Sequence, residues 1–308
     1  MRAGGIRPRR ARRRAFLGRA AVVLPLALAG CGPSVLDPQG PIGAADKSIL
    51  IDSLAIMLAI VIPTIVAILG FAWWFRASNP RAKYRPDFVY SGRVEMIVWS
   101  IPLLTIILLG GVIWIGSYEL DPAKPIGSPA PALEVQGVSL DWKWLFIYPD
   151  QGIAAVNQLV IPAGIPVHFS LTSASVMTAF FVPRLGSMIY TMNGMTTNLN
   201  LQADKPGTFW GEAAHFSGDG FPTMHFDVKA VPAAQFTDWV DATRNARSPA
   251  LDPPAYLQLE KQSMSVAPFT YREIDPLIYQ MIVTQKLPPG PGPATTPHSQ
   301  LVRPERTH

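Results

Sequence analysis

The chain has 308 residues, of which 26 are lysine or arginine and 21 are aspartate or glutamate, so its formal net charge is +5. Residues 1–30 hold eight of the arginines and no acid, which leaves 18 − 21 = −3 for the remainder. The basic balance belongs to the leader and does not indicate a nucleic-acid partner. The single cysteine, Cys31, excludes an internal disulfide.

The first 30 residues have the organisation of a bacterial export signal. An arginine-rich start precedes an apolar run at residues 20–29 that is too short to span a bilayer. The run ends on Ala29-Gly30-Cys31, and we predict a cleaved lipoprotein signal over 1–30 with a covalent lipid on Cys31. An ordinary secretory leader is the alternative. Sec and twin-arginine export both stay open, because one string resembles a twin-arginine signal: Arg13-Arg14-Ala15-Phe16-Leu17.

Two long apolar runs follow, at about residues 49–75 and 94–115. At about 1.5 Å per residue, each can cross a hydrocarbon core of about 30 Å, so we predict a transmembrane hairpin over residues 49–116. Residues 31–48 and everything after 116 then lie outside the cytoplasm, because the loop between the runs is basic. That loop holds one acid, Asp87, against Arg76, Arg81, Lys83, Arg85 and Arg93.

From residue 133 the pattern changes to the two-residue period of β-strands. Large apolar residues recur at every second position along 138–148, which we interpret as one half-buried strand. Similar alternation marks 167–172, 197–201 and 224–229. Turn sequences such as Lys205-Pro206-Gly207 separate these segments. Short strands without intervening helices predict an external β-sandwich over residues 117–231.

The pattern becomes helical and rich in aromatic residues after Pro232. We predict a helical C-terminal segment over 232–287 and a disordered tail over 288–308, which is rich in proline and glycine. The predicted fold class is a membrane-anchored α+β protein: a two-helix transmembrane hairpin, a β-sandwich and a short helical C-terminal segment.

This order of parts resembles subunit II of the haem–copper terminal oxidases. Residues 95–102 are similar to the start of that family's second span, and Trp142-Lys143-Trp144 stands where the family has an aromatic cluster. Residues 175–178 and 207–211 match the family's copper-binding loops in position. The resemblance covers about residues 31–287 and implies a cupredoxin-like Greek-key β-sandwich.

In the cytochrome c oxidase branch, the resemblance implies a binuclear copper centre held by two histidines, two bridging cysteines, a glutamate carbonyl and a methionine. Soft thiolates are the natural bridging ligands of such a centre. Only the methionine is retained among the corresponding residues of this chain, which are Thr178, Ala213, His215, Ser217, Phe221 and Met224. We therefore expect no metal site on this chain.

Loss of the copper residues on this scaffold is similar to the quinol oxidase branch, as are residues 176–187. The resemblance implies an accessory subunit of a proton-pumping ubiquinol oxidase in a bacterial inner membrane, with its sandwich in the periplasm. Haems, one copper and most of the quinol site are then expected in subunit I. Further small membrane subunits and the lipid bilayer are expected as other partners.

Two other functions stay open at this point. One is a cytochrome c oxidase subunit II with degenerate copper loops. The other is a free-standing lipoprotein that binds a partner, or copper through His215 and Met224. Trp142 and Trp144 are candidate aromatics of the core or of a subunit interface, with a place near an electron path as the alternative. Glu95 marks either a proton route or the start of a helix near the membrane surface. No catalytic residue is predicted.

Overall fold

A computed structural model describes residues 35–83 and 85–292 of the chain. The predicted signal sequence, Cys31 and most of the predicted tail lie outside these residues. In the described part, two long helices come first, a β-sandwich follows, and short helices and strands close the chain. This order confirms the predicted membrane hairpin and β-sandwich.

The hairpin consists of α1 (Pro41–Trp74) and α2 (Gly92–Glu119). Most of their large apolar side chains are exposed in the isolated chain, as expected of helices that face lipid or another membrane subunit. Both helices extend past the predicted spans at their outer ends. The helix α1 begins within the segment that we expected to precede the membrane, because proline suits a first helical turn and helical hydrogen bonding does not require apolar residues.

The sandwich consists of two packed sheets. Its strands are β1 (Leu133–Leu140), β2 (Lys143–Tyr148), β3 (Ile153–Val156), β4 (Gln158–Pro162), β5 (Val167–Ser173), β6 (Thr178–Phe181), β7 (Ile189–Thr191), β8 (Thr197–Leu201), β9 (Gly207–Ala213), β10 (His225–Val231) and β12 (Phe269–Tyr271). Among the described residues, one sheet has the order β12-β3-β2-β1-β5-β8 and the other β4-β10-β9-β6-β7. Two short strands, β11 (Ala250–Leu251) and β13 (Glu273–Ile274), pair separately. The strands predicted at 167–172, 197–201 and 224–229 are confirmed as β5, β8 and β10.

An aromatic cluster fills the space between the sheets. Trp144, Phe146, Phe180 and Phe226 are almost fully buried, and their ring centroids lie 5.0 to 6.3 Å apart. Aromatic pairs at such distances contribute roughly 0.5–1.5 kcal/mol each beyond the burial of their area. The rings come from both sheets, so this cluster holds the two layers together.

The segment predicted as one strand over 138–148 forms a hairpin of two strands. The strands β1 and β2 are antiparallel, with Leu140 opposite Lys143, so Asp141 and Trp142 form the turn. Trp142 has φ 101°, a conformation that is strained for a bulky residue. Two-residue hairpin turns favour positive φ. The sequence does not reveal the turn, because the alternation of large apolar residues continues through it.

The C-terminal segment contains strands as well as the predicted helices. Its helices are α3 (Ala233–Arg244), α4 (Pro253–Leu259) and α5 (Ile278–Val283), and its strand β12 extends the first sheet beside β3. Residues 251–287 pack on the outer face of β1 to β3 and build a second apolar core there, whereas α3 packs against the first core. The strand β2 is therefore buried on both faces, and not half-buried as its alternation predicted.

The first five residues of the predicted disordered tail are ordered against the domain. Gly290 N donates a hydrogen bond to Ala174 O at 2.8 Å, and Gln262 Nε2 donates to Gly292 O. Residues 288–292 thus lie against the domain, because their backbone groups find partners there. Residues 293–308 lie outside the described part.

The residues around the start of α1 attach the hairpin to the sandwich. Gln39 N donates to Arg184 O at 2.7 Å, and Gly43 N also donates to the backbone of the β6–β7 connection. Ser187 Oγ donates to Asp46 Oδ2 at 2.9 Å. We call residues 38–46 the strap. It ties the outer end of α1 directly to the β-domain.

Candidate functional site

One end of the sandwich gathers the six positions that the resemblance aligns with copper ligands. Thr178 begins β6 and Ala213 ends β9, and these two strands are neighbours in their sheet. The other four lie in the connection from β9 to β10, residues 214–224, which we call the β9–β10 loop and which includes a short 3-10 helix. These four are His215, Ser217, Phe221 and Met224.

Hydrogen bonds among these residues close the β9–β10 loop. Thr178 Oγ1 donates to the backbone oxygen of His215 at 3.0 Å. Ser217 Oγ donates to Met224 Sδ at 3.8 Å, and Ala213 N donates to Met224 O at 3.0 Å. Both hydroxyl groups and the thioether sulfur are therefore engaged within the loop.

His215 and Met224, the candidate ligands of a mononuclear copper site, have different neighbours. His215 Nδ1 lies 3.2 Å from Phe216 O, and the imidazole packs against the Tyr190 ring with centroids 5.7 Å apart. The Met224 side chain is buried beside Ser217. Across residues 35–83 and 85–292, no three side chains of His, Cys, Asp or Glu are grouped as metal ligands. These contacts lend the mononuclear alternative no support.

Trp142 connects the β9–β10 loop to the turn between β1 and β2. Its ring is 6% exposed, and its Nε1 donates to Ser217 O at 3.0 Å. A Cβ atom on Gly220 would stand 2.3 to 2.6 Å from atoms of this ring, so only glycine permits the contact. The hydrogen bond and the packing offset the strain of the positive φ, and they hold the loop against the sheet.

Of the two packing environments predicted for Trp142 and Trp144, the structure has the core of this chain and not a subunit interface. Trp144 is 0% exposed and lies in the aromatic cluster between the sheets. Trp142 is covered by Gly220 and the β9–β10 loop, as described above. Both rings are packed by this chain itself, so little of their surface remains for a partner.

A buried polar cluster lies beside the same turn. Lys143 is 1% exposed, and its Nζ donates to Lys261 O at 2.7 Å. The Asp141 carboxylate accepts from Ser175 Oγ at 2.6 Å and from Gln262 Nε2 at 3.1 Å. The two-residue period predicts exposure for Asp141 and Lys143. The C-terminal segment buries them instead, by supplying partners more than a hundred residues away along the chain.

Burial changes the ionisation of this cluster. It lowers the pKa of Lys143 from 10.5 to about 8, although the carboxylates of Asp141 and Glu260 oppose the change. Burial also raises the pKa of Glu260, although a hydrogen bond from Tyr256 opposes that change. The folded chain therefore disfavours the charged forms of Lys143 and Glu260.

Replacing Glu260 with glutamine should stabilise the folded chain near neutral pH. The folded pKa of Glu260 lies above its ordinary value of 4.5. Its carboxyl group therefore favours the folded state below that pH, and this contribution is lost as the pH rises through the folded pKa. In urea unfolding of the full chain in detergent, the midpoint of Glu260→Gln should exceed that of the wild type at about pH 7. The two midpoints should converge below pH 4.5.

The exposed residue Glu273 supplies the matched control for this change. Glu273→Gln should leave the midpoint almost unchanged at both pH values, because its carboxylate is solvated. A midpoint of Glu260→Gln below that of the wild type at neutral pH would contradict the assigned direction.

An exposed apolar patch adjoins the β9–β10 loop. It consists of Met177, Met188, Tyr190 and Phe216, which we call the β6–β7 patch and which are 40–69% exposed. The pairing of β6 with β7 and the contact of Tyr190 with His215 bring these residues to one region. Exposed methionine and aromatic side chains are typical of interaction surfaces. Sequence reasoning missed the patch because strand pairing, and not chain order, assembles it.

Comparison with known proteins agrees with this architecture. Residues 149–231 match the family described as "Cytochrome C oxidase subunit II, periplasmic domain". The chain is 43% identical over 260 residues to the cytochrome bo(3) ubiquinol oxidase subunit 2 of Pseudomonas aeruginosa, covering 84% of this chain and 78% of that protein. It is 44% identical over 262 residues to the ubiquinol oxidase subunit 2 of Acetobacter aceti, covering 84% and 85%. The quinol oxidase subunit 2 of Bacillus cereus is 35% identical over 239 residues, covering 77% and 82%.

These identities extend over the membrane hairpin as well as the sandwich, since they cover far more of the chain than residues 149–231. The chain therefore belongs to the family of quinol oxidase subunit II.

Proposed function

We propose that this chain is the accessory subunit II of a proton-pumping ubiquinol oxidase in the aerobic respiratory chain of a bacterial inner membrane. In the overall reaction, quinol is oxidised to quinone, and its electrons and protons reduce O2 to water. The names of the relatives from Pseudomonas and Acetobacter support ubiquinol as the substrate. We assign the haems, one copper and the oxygen chemistry to subunit I, and no catalytic residue to this chain.

The proposal that this chain binds no copper rests on the residue types at the aligned ligand positions in and beside the β9–β10 loop. A binuclear copper centre needs bridging thiolates, but the two cysteine positions hold Ala213 and Ser217. The hydroxyls of Thr178 and Ser217 donate hydrogen bonds inside the loop. The residues present do not fit this copper centre.

Quinol makes an external copper centre unnecessary. A cytochrome c donor is water-soluble and must pass its electron to an acceptor on the outer surface. Quinol dissolves in the bilayer and can reach the partner subunit within the membrane. We therefore propose that electrons pass from quinol directly to subunit I and do not pass through this chain.

Bracing of subunit I is the role that remains for this chain. The strap joins α1 to the β-domain through hydrogen bonds at Gln39 and Asp46, so the hairpin and the domain are connected by more than the covalent linker. The exposed apolar sides of α1 and α2 and the β6–β7 patch offer contact surface in the membrane and above it. We propose that subunit I and further small membrane subunits cover these surfaces.

A lipid on Cys31 would add a second anchor on the outer side. The basic loop between the spans supports a cytoplasmic loop and a periplasmic β-domain. Cys31 precedes α1 and therefore falls on the same side as that domain. Mass spectrometry of the N-terminal peptide of the mature chain tests this: we expect diacylglycerol on a cysteine at the N-terminus, and an unmodified cysteine would contradict it.

The functional proposal is tested on the complex purified through a tag on this chain. We expect haem spectra, one copper per complex and oxygen uptake with ubiquinol but not with reduced cytochrome c. His215→Ala and Met224→Leu should leave the copper content unchanged, because no copper is assigned to this chain.

Other results would favour the alternatives. Additional copper or activity with cytochrome c would indicate a cytochrome c oxidase subunit. Copper that disappears in His215→Ala or Met224→Leu would indicate a mononuclear site in this chain. Preparations that contain this chain but no haem would favour a free-standing lipoprotein.

A further inference from the structure

The inner end of α1 carries an apolar cleft. It is a shallow, open depression of about 430 Å³, lined by Ala67, Gly70, Phe71, Trp74 and Phe75. A Cβ atom built on Gly70 would have no atom within 4 Å, so the backbone of α1 is exposed at the centre of the cleft. The rings of Phe71 and Phe75 stack beside it, with centroids 6.1 Å apart. The apolar lining of the cleft suits a hydrocarbon chain.

A basic pocket of about 840 Å³ continues this cleft into the loop between the two helices. Trp74 and Phe75 line both cavities, so the apolar surface of the cleft adjoins the basic surface of the pocket. Residues 76–93 hold five basic residues and one acid. The basic residues that line the pocket are Arg76, Arg81, Lys83 and Arg85.

Within residues 35–83 and 85–292, most of these basic side chains form no ion pair with a carboxylate. Arg76 is fixed at the end of α1, where its Nη1 donates to Trp73 O at 2.9 Å and its guanidinium lies 4.9 Å from the centroid of that ring. In the part of the chain that the structure describes, the other three basic residues of the pocket form no ion pair with a carboxylate. The pocket therefore presents several cations beside an apolar cleft.

We infer that this joint surface, the inner groove, binds an anionic phospholipid of the cytoplasmic leaflet. An acyl chain would lie over Gly70, and the headgroup phosphate would meet the cations of the loop. Arginine donates to phosphate in a bidentate geometry, and the cytoplasmic leaflet supplies anionic headgroups at this depth. A transmembrane helix of a partner could fill the apolar cleft, but it would not by itself neutralise the loop. The inference uses the membrane topology and does not depend on quinol oxidation.

The test measures lipid selectivity on the complete oxidase in detergent. Spin-labelled phosphatidylglycerol and phosphatidylcholine with identical acyl chains are titrated separately, and the immobilised fraction is compared. The triple variant Arg81→Gln/Lys83→Gln/Arg85→Gln removes charge and leaves the cleft intact. Gly70→Leu fills the cleft and leaves the charge intact. Gly110→Leu is the control, because Gly110 on α2 also has no atom within 4 Å of a built Cβ and lies outside the groove.

We expect tighter binding of phosphatidylglycerol than of phosphatidylcholine. Each cation near an anionic headgroup is worth roughly a five-fold gain in affinity, so the triple variant should abolish most of the selectivity. Gly70→Leu should weaken binding of both lipids at this site, and Gly110→Leu should weaken neither. Excess inorganic phosphate should displace little phosphatidylglycerol, because it gains nothing from the cleft.

Three results would overturn the inference. Equal affinities for the two lipids would show that the loop does not select charge. Unchanged lipid binding in Gly70→Leu would show that the cleft holds no acyl chain. Loss of subunit I from Gly70→Leu preparations, with lipid selectivity intact in the triple variant, would identify the cleft as a contact for a partner helix.

Discussion

Substitution of Gly211 by alanine is expected to destabilise the β-sandwich by about 3 kcal/mol. A Cβ at this position would stand 2.3 Å from two ring atoms of Phe226. Phe226 packs against three other buried rings, so it cannot move aside without opening the aromatic cluster. The measurement is denaturant unfolding of the full-length chain in detergent, followed by circular dichroism of the β-domain.

Gly127 provides the control for this prediction. It lies before β1, and a Cβ built there meets no atom within 4 Å. Gly127→Ala should therefore change stability by less than about 0.5 kcal/mol. Equal unfolding midpoints for Gly211→Ala and Gly127→Ala would contradict the close packing of β9 against Phe226.

Trp142→Ala is expected to cost about 3–5 kcal/mol and to loosen the β9–β10 loop. The substitution empties the space beside Gly220 and removes the donor to Ser217 O. It also leaves a residue with a Cβ at φ 101°, without the contacts that offset the strain. Hydrogen exchange at the amides of residues 217–224 should accelerate much more than exchange in the core strands.

Two further substitutions separate the causes of this loss. Trp142→Phe keeps an aromatic ring but removes the hydrogen bond, so it should cost only about 1 kcal/mol beyond the change in volume. Trp142→Gly loses the ring but accepts the positive φ without strain, so it should be less destabilising than Trp142→Ala by about 1 kcal/mol. If Trp142→Ala and Trp142→Phe had equal effects, the ring packing would not hold the loop.

Local patterns in the sequence predicted the membrane hairpin and most of the strands. Length and hydropathy are sufficient for a bilayer-crossing helix, so both helices of the hairpin were predicted, and each runs beyond its predicted span at the outer end. Alternation located β5 and β10 because buried and less buried residues alternate along much of each strand, and it also located β8. The same rule failed for β2, whose second face is buried by residues far along the chain.

The polar cluster shows why such burial is invisible to pattern reasoning. Asp141 and Lys143 occupy positions that alternate with large apolar residues, which ordinarily means exposure to water. The partners that bury them, Lys261 and Gln262, lie near the end of α4. The residues around β1 and β2 give no sign of partners that lie more than a hundred residues further along the chain.

Two long apolar helices and the lack of thiolates at the aligned ligand positions could be predicted from the sequence alone. The residue types at the aligned ligand positions and the single cysteine can be read directly from the sequence. A long apolar run predicts a membrane-spanning helix without any knowledge of distant contacts. The hydrogen bonds that close the β9–β10 loop, and the contact of Trp142 that holds it, are visible only in the tertiary structure. The same is true of the apolar and basic walls that meet in the inner groove. These features depend on contacts between segments that are distant in sequence, or on the relative positions of side chains in space. Local sequence patterns cannot predict either.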